Sequence, residues 1–130
     1  MDDSLLRTVL VVEEMALISL SVEDELRDAG FEVAGPFSSG SAALEYLRLT
    51  RTAPFAAVVG MGSGASFLPL IRALQDLGIP QIIHSGFRGD DIPELADLTW
   101  VEKPAAMGEV AHAVRALAMG RPPVAINPAA

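Results

Sequence analysis

Five short apolar runs recur along the chain with helical patterns between them, and this alternation limits the fold more than any other feature. The runs are RTVLVV (7–12), FEVAGP (31–36), FAAVVG (55–60), PQIIHS (80–85) and LTWVE (98–102). They are rich in Val and Ile, and the first, third and fourth are almost continuously apolar. Strands that do not alternate apolar with polar residues are covered on both faces, as in a parallel sheet packed between helices.

The intervening segments carry the helical period. MALISLSVEDELRDAG places Ile18, Val22, Leu26 and Ala29 on one face, with Gly30 as the stop. SGSAALEYLRLT opens with serines suited to N-capping and turns Ala43, Leu44 and Leu47 inward. SFLPLIRALQDLG gathers Leu70, Ala73, Leu74 and Leu77, and its Pro69 fits only if the helix starts near Ser66. DDIPELAD is short and broken by Pro93, whereas AAMGEVAHAVRALAMG spaces Val110, Val114 and Leu117 as one face. The whole predicts one α/β domain over 1–119, a doubly wound (βα)5 parallel five-stranded sheet with helices on both faces. Residues 120–130 include three prolines and show no periodicity, which predicts a disordered tail.

Charge and composition exclude several functions. The formal charge is −8, from 17 acidic and 9 basic residues, and a nucleic-acid surface needs clustered Lys and Arg. The basic run RLTR (48–51) reads as a solvated helix end. Every apolar stretch is interrupted well short of the roughly 20 residues of a membrane span. The acidic N-terminus is unlike a signal peptide, and the absence of cysteine removes disulfides, thiol catalysis and cysteine zinc sites. A cytoplasmic protein is expected.

In a doubly wound sheet the functional crevice lies at the carboxyl ends of the strands. Those ends hold Glu13-Glu14, Gly60-Met61-Gly62, Ser85-Gly86 and Lys103-Pro104. Gly60, Gly62 and Ala65 fit a G-x-G-x-x-A loop that would bring backbone close to a pyrophosphate at a helix N-terminus. Two features weigh against a dinucleotide: the loop follows the third strand, not the first, and the next strand ends in His84-Ser85 without a ribose-binding acid.

Acids after the first strand (VVEE), a hydroxyl after the fourth (IIHS) and a lysine-proline after the fifth (VEKP) form an ordered set. In that order they resemble the receiver domain of two-component response regulators, from about Arg7 to Met119. The resemblance implies a flavodoxin-like fold. It implies that Glu13 and Glu14 help to hold Mg²⁺ and that Ser85 contacts a phosphoryl group. Lys103 would pair with that group, before a peptide bond to Pro104 that is often cis. Trp100, three residues before the lysine, stands where an aromatic often changes rotamer on activation. The phosphoacceptor would be an aspartate ending the third strand, and that position is Gly60. Glycine offers no carboxylate nucleophile, and the site loses an oxygen ligand, so Mg²⁺ is expected to be weak and no cofactor to be required.

Each residue also has a plainer role. Glu13 and Glu14 serve equally as turn acids, Lys103 as their ion-pair partner, and Ser85 as a turn cap. Trp100 serves as a packed strand residue, and His84 and His112 have no metal-ligand company. The reading is a stand-alone, atypical receiver that cannot be phosphorylated at Gly60 and is not an enzyme. It would act by contact with a histidine kinase, an output protein or a second copy. The expected surface spans the fourth helix, fifth strand and fifth helix, roughly Arg88 to Met119, with Ile92, Trp100, His112 and Arg115 as candidates. The alternatives are a phosphorylatable regulator with another nucleophile and the dinucleotide protein. Gly60→Asp is expected to restore much of the Mg²⁺ site.

Overall fold

The sequence TVLVVE is buried at every position after its threonine, and it forms β1 (Thr8–Glu13), the second strand of a parallel sheet. The computed structural model describes residues 7–61, 67–85, 99–102 and 108–118. Along these the chain alternates strand and helix: α1 (Ala16–Asp28), β2 (Glu32–Phe37), α2 (Gly40–Leu49), β3 (Ala56–Met61), α3 (Leu68–Asp76), β4 (Gln81–Ser85), β5 (Thr99–Glu102) and α4 (Glu109–Ala118). The described strands lie in the order β2-β1-β3-β4-β5, each paired in parallel with its neighbours. The expected helix over DDIPELAD, the loop from Gly62 to Ser66, Lys103-Pro104 and the tail lie outside the described residues.

Side chains leave a strand on alternate faces, so the sheet carries two separate cores. Leu10, Val12, Ala57, Val59 and Ile83 pack with Ala43 and Leu47 of α2 and with Leu70, Ile71 and Leu74 of α3. Val9, Val11, Ala56, Val58, Ile82 and Val101 pack on the other side with Val22 and Leu26 of α1 and with Val110, Ala111 and Val114 of α4. Burial on both faces explains the continuous apolar runs, and each fully buried Leu or Ile contributes about 1.5–3 kcal/mol.

The helices start and face inward for local reasons. Ser39 caps α2, its hydroxyl accepting from the Ala42 N–H at 3.2 Å. Pro69 sits in the first turn of α3, where no intrahelical N–H is needed. That helix turns Ile71 inward with Leu70 and Leu74, while Ala73 and Leu77 stay half-buried at its flank. In α1 the buried positions are Ser19, Val22 and Leu26, with Ile18 only partly covered. Ser19 tolerates burial because its hydroxyl donates to the Ala16 carbonyl at 2.9 Å.

Gly35 marks an irregularity in β2, where the register passes from Leu10↔Ala34 to Val12↔Phe37. Its φ is +98°, and a Cβ there would stand 2.6 Å from the Phe37 nitrogen and 2.9 Å from the Val11 carbonyl oxygen. Only glycine fits that backbone.

Two long-range bonds tie α4 to α1. The Ala111 N–H donates to Glu25 Oε2 at 2.7 Å, and the Arg115 guanidinium donates to the Ala29 carbonyl at 2.9 Å. Glu25 thereby satisfies one of the N–H groups that a helix start leaves open.

Candidate site at the carboxyl edge of the sheet

The strand register sets three chemically distinct residues in one row. Glu13 pairs with Gly60, Gly60 with His84, and His84 with Val101. Paired positions of a parallel sheet share a face. The row therefore continues the layer of Val11, Val58 and Ile82, on the side that α1 and α4 cover. Glu13 is 3% exposed and His84 5%, so a carboxylate and an imidazole both lie inside, with a glycine between their strands.

Glu13 reaches the middle of the row. Its Oε1 and Cδ lie where a Cβ on residue 60 would stand, Cδ 2.6 Å and its own Cβ 3.2 Å from that point. The other carboxylate oxygen, Oε2, accepts the Met15 N–H at 3.1 Å. Met15 is the N-cap of α1 and brings no side-chain cap of its own. The chain thus turns from strand to helix around the Glu13 carboxylate, where the partial positive charge of the helix start favours an anion.

Glu14 departs from its neighbour and is exposed. The two acids at the end of β1 therefore occupy different environments, one within the sheet edge and one in solvent. Among the described residues no group of three or more His, Cys, Asp or Glu converges as a metal site. Among the described residues, one buried and one solvent carboxylate beside a glycine supply fewer oxygen ligands than the divalent-ion site that the sequence resemblance implies.

The remaining candidates are placed less fully. Ser85 ends β4 opposite Met61 and Trp100 lies in β5 opposite Ile83, but their side chains are outside the described part. Lys103, Pro104, Gly62, Ala65 and Ile92 fall outside the described residues altogether, as do Ser63 and Ser66. His112 and Arg115 of α4 are exposed. Sequence periodicity gave no warning of the exposed apolar side chains Met15, Leu17 and Leu20, 57%, 83% and 55% exposed at the start of α1. Leu17 and Leu20, three residues apart, lie on the outside of a helix whose buried positions are Ser19, Val22 and Leu26. No described helix is long and apolar enough to cross a membrane.

No protein-family model and no curated protein matches the chain. Solved structures match over most of its length. A response regulator receiver protein from Sinorhizobium medicae WSM419 superposes with a TM-score of 0.73 at 27% identity, over 88% of this chain and 96% of that one. The fold is that of a CheY-like response regulator receiver domain. A CheY-like receiver domain from Methylobacillus flagellatus agrees at TM-score 0.70 and 22% identity, over 86% of this chain and 98% of that one. The signal receiver domain of a signal transduction histidine kinase from Syntrophus aciditrophicus agrees at TM-score 0.72 and 22% identity, over 88% and 91%. Within this fold Glu13 ends β1 and Gly60 lies one residue before the end of β3, on adjacent inner strands of the sheet.

Proposed function

We propose that this chain is a receiver-type module of two-component signalling that works by protein contact and accepts no phosphoryl group at the end of β3. The observation that carries this reading is Gly60 itself: the position has no side chain, and the Glu13 carboxylate takes up the space beside it. Aspartyl phosphorylation needs a carboxylate oxygen with room for in-line approach of the phosphorus, and a glycine supplies none. No cofactor is required for such a role, and the module is not an enzyme. The partner is a histidine kinase, an output protein or a second copy in the cytoplasm. The contact face includes β5 and α4, and the exposed His112 and Arg115 on α4 support it.

The test is an intact-mass measurement after incubation with Mg²⁺ and acetyl phosphate. An unmodified parent protein is expected. A phosphoryl adduct on the parent would overturn the reading and return the alternative of a regulator with another nucleophile.

A further inference from the structure

We infer that Glu13 and Gly60 are a matched pair, in which the Glu13 side chain is the permanent occupant of the place a β3 acceptor side chain would take. The inference deepens the reading of a phosphate-independent receiver, because it names what holds the site closed. Loss of an aspartate alone would leave a vacant notch between β1 and β4. Instead, Glu13 Cδ lies 2.6 Å from where a Cβ on residue 60 would be, in a row that is buried on both sides of the glycine. The carboxylate is anchored by the Met15 N–H, so leaving the notch breaks a bond at the start of α1.

Depth also matters. The carboxylate lies at the level of the first side-chain atom of residue 60, so it fills the base of the notch from β1. A side chain grown from β3 must displace it before any reagent can approach. Restoring an aspartate at residue 60 is therefore insufficient by itself. Glu13 has to be shortened as well.

Residue 60 has no positive φ, so a side chain there is free of backbone strain. That permits a test by comparing the same substitution in two backgrounds. Gly60→Ala in the parent forces the added methyl against Glu13 and is expected to lower the melting temperature by about 3–10 °C. In a Glu13→Ala background the carboxylate is gone and the nearest remaining atom is the Cβ of residue 13, 3.2 Å from the added methyl. There it is expected to lower melting by at most about 2 °C, since only the Cβ of residue 13 has to give way slightly and alanine is better than glycine within a strand. Equal effects of Gly60→Ala in the two backgrounds would overturn the pairing.

Gly60→Asp supplies a second readout with acetyl phosphate and Mg²⁺. Modification would require a carboxylate oxygen to attack phosphorus while the bond from phosphorus to the acetate oxygen breaks and acetate leaves. With Glu13 in place no adduct is expected, and rapid modification of that single variant would overturn the inference. The melting readout does not depend on whether the parent itself is modified, so failure of the pairing and failure of the proposed function are separable.

Discussion

Removing the Glu25 carboxylate should loosen α4 selectively. Glu25 Oε2 accepts the Ala111 N–H at 2.7 Å, a short, charge-assisted bond across 86 residues of sequence. Ala111 is 6% exposed, so water cannot readily replace the lost acceptor. A hydrogen bond to a charged group contributes about 1.5–3 kcal/mol. Glu25 is only half-buried, which brings the figure toward about 1–2 kcal/mol, and the better helix propensity of alanine offsets a few tenths of that. The bond from Arg115 to the Ala29 carbonyl survives the change and keeps α4 docked. For a chain of 130 residues the loss corresponds to a fall in melting temperature of about 3–8 °C. The assay is thermal unfolding together with amide hydrogen exchange. Protection should fall in Glu109–Ala118 while the amides of β1 and β3 keep theirs, and Glu25→Gln should lie between parent and Glu25→Ala. Unchanged melting to within about 1 °C, with α4 protection intact, would refute the view that this bond fastens the helix.

Other substitutions probe the same framework. Gly35→Ala is expected to cost about 2 kcal/mol or more, because the backbone is left-handed and a Cβ meets Phe37 and Val11; chemical denaturation measures it. Ser39→Ala removes the α2 cap and should cost about 0.5–1.5 kcal/mol by the same assay. Leu74→Ala, inside the α3 core, should cost about 2–4 kcal/mol, whereas Leu17→Ala should stay within about 0.5 kcal/mol despite the similar size of the change.

The sequence by itself determined the class of the fold. Runs such as TVLVVE and AAVVGM are apolar at successive positions, and only a sheet covered on both faces buries such a strand. Local chemistry was equally legible where a residue acts on its own turn: Ser39 caps the helix it precedes, and Pro69 stands in a first turn. Of the candidate site, the positions of Glu13 at the end of β1 and of Gly60 near the end of β3 were legible, since strand ends follow the order of the chain. What sequence order did not carry is anything that passes between strands or helices. The adjacency of Glu13 and Glu14 suggests one acidic pair, yet one is buried over Gly60 and the other stands in solvent. The meeting of Glu25 with Ala111 and the exposure of Leu17 and Leu20 likewise depend on how α1 lies against the sheet and α4. Periodicity fixes which residues can face inward on one element, because it is a property of a few consecutive dihedral angles. Whether a glycine's empty space is filled, and by whose side chain, depends on the register of β1 against β3, and only the tertiary structure decided that.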